Sequence, residues 1–250
     1  MLKKITAISL LFLSHYAFAQ KNITDSIISI PLIETSLSLQ TPSGDMADRF
    51  GNNQAINFSF HYKTKKNFTY GLQIQNLTGS NIKNSDNFFG DIETAFGPIT
   101  SDGQIAEINL QQRGMNTSLQ FGKIFKGFGP NPNSGIWLQI GAGYAWNKVK
   151  IIDNGNLVAA FNDEFIKGYD QLTEGFLLNQ SIGYIYLSNK RLLNFGVSFE
   201  IMEAFTTNVR EYSYKNMTKV SQNNTDILYG LKLSWFLPLY KKTDNTYHYY

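Results

Sequence analysis

From about residue 30 onward the chain alternates apolar and polar side chains with a period of two, and few architectures satisfy that pattern over so much of a 250-residue chain. Successive residues of a strand point to opposite faces, so each such segment has one apolar and one polar wall. Ile56, Phe58, Phe60 and Tyr62 alternate with Asn57, Ser59, His61 and Lys63. Phe68, Tyr70, Leu72 and Ile74 alternate with Thr69, Gly71, Gln73 and Gln75. Ile136, Leu138, Ile140, Ala142, Tyr144 and Trp146 share a face opposite Gln139, Gly141, Gly143 and Asn147. Leu193, Phe195, Val197, Phe199 and Ile201 oppose Asn194, Gly196, Ser198 and Glu200, and Ile227, Tyr229, Leu231, Leu233, Trp235 and Leu237 oppose Gly230, Lys232 and Ser234. Three weaker segments, 32–41, 107–125 and 173–188, complete a set of eight.

With strands at 32–41, 54–63, 68–78, 107–125, 135–150, 173–188, 191–206 and 225–240, the connections alternate long and short along the whole chain. An even strand count with tight turns on one side and long loops on the other predicts an all-β fold. That fold is an eight-stranded antiparallel up-and-down transmembrane β-barrel, with short periplasmic turns, long extracellular loops and both termini periplasmic. The tight connections carry turn chemistry: Thr64-Lys65-Lys66-Asn67, Asn189-Lys190, and the run from Gly127 to Asn133 with its two prolines.

Alternation does not by itself say which wall faces inward, because a soluble lipocalin-like barrel also alternates, with its apolar face inside. Composition favours the membrane form. Charged residues are only 16% of the chain, against roughly 25% in soluble domains. The polar faces carry Asn, Gln, Ser, Thr and Gly where a water-washed strand carries Lys and Glu. Aromatics on the apolar face gather towards both strand ends, as in the girdles of a membrane barrel. Mean hydropathy is −0.23, which excludes a helical membrane bundle. The formal net charge of +3 comes from 22 basic and 19 acidic residues that are dispersed, so no nucleic-acid partner is expected.

Lys3 and Lys4 precede the apolar run Ile5 to Leu13, which ends at Ala17-Phe18-Ala19 and predicts a signal peptide over 1–19. The expected division is then signal peptide 1–19, outer-membrane barrel 20–240 and a periplasmic C-terminal tail 241–250. The chain contains no cysteine, so neither disulfides nor thiolate metal sites are available to it.

The signal sequence ending Ala-Phe-Ala-Gln and the closing stretch Gly230 to Tyr240 resemble those of small eight-stranded outer-membrane barrels of Bacteroidota, an OmpA-like group. Gly230, Leu233 and Trp235 match the glycine and hydrophobic positions of the last-strand signal read by the barrel-assembly machinery. Leu228 departs from that signal where a polar residue is usual, and the chain runs ten residues beyond Tyr240 instead of ending on an aromatic. On size alone the chain is also similar to the small barrel of the type IX secretion and gliding apparatus. The resemblance implies the outer membrane of a Gram-negative bacterium, with outer-membrane lipid and the assembly machinery as partners, and it implies no activity.

Reactive residues are sparse. Of the histidines, His61 falls on the polar face with no nucleophile and orienting acid spaced to serve it, and His248 lies in the tail. Zinc is excluded by ligand counts. The loop acids Asp86, Asp91, Glu93, Asp163, Glu164 and Asp170 match no calcium-loop pattern. No catalytic residue, cofactor or metal is expected. The lumen parity of Glu34, Lys63, Glu200 and Lys232 predicts pairing of the buried charges, with Lys232 bridging to Glu200 or Glu34 as a structural plug or, alternatively, an ion gate. In the loops, Phe88, Phe89, Phe161 and Phe165 are candidate partner-binding anchors, with their folding back over the barrel mouth as the competing arrangement. The functional expectation is a non-enzymatic scaffold or surface-interaction protein working through its loops within a surface or secretion complex. The alternative is a small solute channel or a lipid-modifying outer-membrane enzyme.

Overall fold

The computed structural model describes residues 23–24, 26–83, 85, 88–89, 93–94, 97–98, 100, 102–153, 158, 165–190, 193–210, 212–214, 218–219 and 223–240. The expected signal peptide over 1–19 and tail over 241–250 lie outside the described residues.

Each alternating segment forms a strand. They are β1 (Ile30–Gly44), β2 (Asn53–Lys63), β3 (Phe68–Gly79), β4 (Ile108–Phe125), β5 (Gly135–Asp153), β6 (Thr173–Leu187), β7 (Asn194–Asn208) and β8 (Asn223–Pro238). Every strand pairs antiparallel with its neighbours, and β1 closes on β8 with Ser36 opposite Ser234, so the sheet is a closed eight-stranded barrel. Closure removes the two edges that an open sheet would leave for another chain to pair with. The turn joining β2 to β3 is a tight hairpin: Asn67 takes a left-handed φ of 61°, which Asn tolerates, and Thr64 N–H donates to Phe68 O at 2.8 Å. The turn expected at 189–190 is longer than two residues, because β6 stops at Leu187 and β7 starts at Asn194.

The barrel is inverted relative to a soluble one. Leu119 is 71% exposed and Leu231 60% exposed on the outer wall, whereas Glu34 and Lys63 are fully buried and Lys232 is 2% exposed inside. No helix of the described residues is long and apolar enough to cross a membrane. Both described chain ends and the turns 64–67, 126–134 and 188–193 share one end of the barrel, and the long connections share the other. That second end carries a short helix, α1 (Met46–Arg49), a one-turn 3-10 helix (Phe165–Gly168) and two minimal ribbons, Glu93–Thr94 with Gly97–Pro98 and Tyr212–Ser213 with Thr218–Lys219.

Inside, polar side chains run the length of the wall, and apolar clusters join them at both ends. At the loop end, beside buried Gln112, Asn147, Thr173 and Asp226, inward Leu77, Val149, Leu177, Met202 and Leu228 pack with Met46, Phe50, Ile82, Phe88, Phe89 and Tyr169 in one buried cluster. At the turn end Leu32, Ile124, Trp137, Ile185, Leu187 and Phe236 pack with Ile23, Ile28 and Ile30 in a second. The lumen is therefore polar, with an apolar plug at each end.

Candidate functional site

Three structures decide what this barrel can do: the polar layer, the floor and the cap. In the polar layer, Lys232 from β8 places its ammonium 3.5 Å from Glu200 Oε2 on β7 and 3.8 Å from Glu34 Oε1 on β1. Strand parity puts all three inside, as expected, and the inter-strand register brings them to one height. Glu34 further accepts from His61 Nε2 at 2.8 Å and from Ser234 Oγ at 2.6 Å, while Glu200 accepts from Ser38 Oγ at 2.8 Å. Gly71, opposite His61 in the β2–β3 ladder, leaves the room this ring needs, because a Cβ there would collide with His61 Nδ1. His61 is fully buried and sits edge-on to Trp137, ring centroids 5.1 Å apart. It belongs to the buried network around Glu34.

Lys63 does not join that network. Its ammonium lies at the floor, donating to Asn133 Oδ1 at 2.7 Å and to Ile28 O at 3.1 Å. Asn133 is the hub of this floor: its Nδ2 donates to Ile23 O and Ser26 O at 3.0 and 2.9 Å, and its Oδ1 also accepts from Ile28 N–H at 2.9 Å. One turn side chain thereby pins the segment that precedes β1 across the barrel bottom. Nothing in the sequence pattern singled out Asn133 beyond its place in a turn. Its partners are backbone groups, which no side-chain pattern advertises.

At the mouth, Phe88 and Phe89 correct the expectation made for them. They are 2% and 3% exposed, with ring centroids 5.2 Å apart, and Phe89 lies 5.7 Å from Tyr169. A pair of adjacent phenylalanines in a long loop finds more apolar area under the loop than outside it, so these rings take the competing arrangement, folded back over the barrel mouth. Phe161 and the Phe165 side chain lie outside the described residues, as do Asp86, Asp91, Asp163 and Glu164. Asp170 is engaged by Arg210, through Nε at 2.9 Å and Nη2 at 2.6 Å, which raises the already high pKa of Arg210 by hydrogen bonding. Arg49 of α1 makes the second cap ion pair, 2.6 Å from Asp226, and the other oxygen of Asp226 accepts from Thr206 at 3.0 Å. Asp226 has the same lumen parity as Lys232, so that signal was present in the sequence. The same parity explains Leu228, the departure from the last-strand pattern: it points inward at 4% exposure into the cap cluster, where a polar side chain would be stranded.

Among the described residues no group of three His, Cys, Asp or Glu could hold a metal ion. No protein-family model matches the chain, and no curated protein does. Solved structures with a similar fold share little sequence with the chain. Ail, the attachment invasion locus protein of Yersinia pestis, is 9% identical with a TM-score of 0.44, covering 84% of this chain and 99% of that one. Neisserial surface protein A is 9% identical with a TM-score of 0.43, covering 83% and 96%. The outer membrane protein OprG from Pseudomonas aeruginosa is 12% identical with a TM-score of 0.38, covering 86% and 99%. These likenesses are too distant to carry a function.

Proposed function

We propose that the chain is a non-enzymatic outer-membrane β-barrel of a Gram-negative bacterium, closed to solutes, that serves as a scaffold or surface-interaction protein through the cap built by its long loops. The observation that carries this reading is the inverted burial: an outer wall of Leu, Ile, Phe and Tyr around a lumen holding Glu34, Lys232 and Glu200. Water would expose that wall at a large free-energy cost, whereas a bilayer matches it, and closure satisfies every ladder group that hydrocarbon cannot. In this reading the turns and both chain ends are periplasmic and the cap is extracellular. The segment 1–19 is the export signal and 241–250 a periplasmic tail. The last strand, with Gly230, Leu233 and Trp235, engages the assembly machinery, and outer-membrane lipid surrounds the wall.

The scaffold reading is favoured over a channel because apolar plugs lie above and below the polar layer. It is favoured over an enzyme because the histidine of the layer is sealed against Glu34. With Phe88 and Phe89 committed to the cap, the apolar side chains left on its outside include Ile105, Val209 and Tyr212, exposed by 59%, 39% and 38%. A surface or secretion-complex protein is the partner class such a surface serves. Three measurements test the reading. The purified chain should give no defined conductance steps in planar bilayers, and lipid A mass spectra should be the same with and without the gene. Cysteines at Asp102 or Lys167 should label with an impermeant maleimide on whole cells, and cysteines at Lys65 or Lys190 should not. Stepwise conductance moves the function to a channel, a shifted lipid A mass moves it to an enzyme, and reversed labelling turns the barrel over.

A further inference from the structure

On the outer wall, Ile140 is flanked across the ladder by Phe121 of β4 and Gln180 of β6, and Ala142 by Leu119 and Leu178. The small side chain of Ala142 between two leucines leaves a groove of about 450 Å³, which Gln180 borders. Gln180 is exposed, and among the described residues its side-chain amide has no hydrogen-bond partner. Along β6 the outward positions run Phe176, Leu178, Gln180, Ile182 and Tyr184, so Gln180 stands four residues from an aromatic on either side. At about 3.3 Å per residue and the usual strand tilt, that is about 10 Å from each aromatic level, the middle of an apolar band about 25 Å tall.

An amide at that depth has no water and no headgroup within reach, and acyl chains offer neither donor nor acceptor. A primary amide carries both. Two copies facing each other across a two-fold axis would therefore satisfy each other through a reciprocal pair of N–H to O bonds, with the grooves on either side admitting the partner's leucines. A two-fold contact uses the same patch twice, which is what a self-complementary side chain in a recess supplies. We propose that the β4–β6 wall is a dimerisation surface within the membrane, with the Gln180 amides paired at its two-fold axis and a second copy of this chain as the occupant.

The proposal rests on the membrane reading above, and the test separates the two. Because the chain has no cysteine, Gln180→Cys carries the sole thiol. Oxidation in native membranes with copper-phenanthroline should give a dimer on non-reducing gels. Phe58→Cys, 57% exposed on β2 across the barrel, should stay monomeric. In liposomes, single-molecule photobleaching of the wild type should show two-step traces, and Gln180→Leu should weaken the dimer about three- to tenfold, the size of a polar side-chain pair between membrane helices. Crosslinking no greater at 180 than at 58, or Gln180→Leu dimerising like the wild type, overturns the proposal. The same unheated gels report the folded barrel in the membrane fraction. Its absence there defeats the membrane reading itself.

Discussion

Glu34 and Lys232, 3.8 Å apart on β1 and β8, join the first and last strands of the barrel from within. The pair is completed by Glu200, so one ammonium serves two carboxylates in a space that water does not reach freely. Removing the cation strands both anions, and stranding is more damaging than the pair is stabilising. Lys232→Met should therefore lose about 3 to 5 kcal/mol of barrel stability, and Lys232→Met combined with Glu200→Gln should recover part of that loss. Urea unfolding of the four members of this cycle in lipid would read the coupling, and a coupling of zero would show that the contact carries no energy.

The two walls predict opposite sensitivities. Leu231 lies on the outer wall, and Leu231→Arg should cost about 2 to 4 kcal/mol near mid-membrane. Ser36 faces the lumen with its hydroxyl unpaired among the described residues, so Ser36→Ala should be neutral or slightly stabilising. Equilibrium unfolding of both variants checks this, and similar costs at both sites would reverse the assignment of inside and outside.

The cap depends on Phe89. Its ring lies between Phe88 and Tyr169, so Phe89→Ala opens a cavity between two loops and should remove about 3 kcal/mol or more from their docking. Trypsin should then cut at Lys83 and Lys167 faster than in the wild type, while the unheated barrel still migrates as folded. An unchanged digestion pattern would mean that the cap is held elsewhere.

The floor depends on Asn133. Asn133→Ala removes four hydrogen bonds at once and leaves the Lys63 ammonium buried with only Ile28 O. A loss of about 3 kcal/mol is expected, together with faster amide exchange at Ile28. If Ile28 remains as protected as in the wild type, the segment before β1 is held by its apolar contacts alone.

Strand number, the alternation of tight and long connections, and the inside-or-outside parity of each side chain were all readable along the chain, because each is a local property of a pleated strand of two unlike faces. Lys232, Glu200 and Glu34 could be assigned to the lumen on parity alone, and so could Asp226. Which of them share a height was decided by the closed barrel, whose register sets Lys232 opposite Ser38 on one side and Ser198 on the other. The two plugs were not readable because parity turns Leu32 and Leu228 inward without saying what they meet there, and only the segment before β1 and the long loops supply their apolar partners. Phe89 against Tyr169, and Lys63 against Asn133, are contacts between segments far apart in sequence. Their energy comes from apolar area and donors that become neighbours only once eight strands have closed and the loops have somewhere to fold back to.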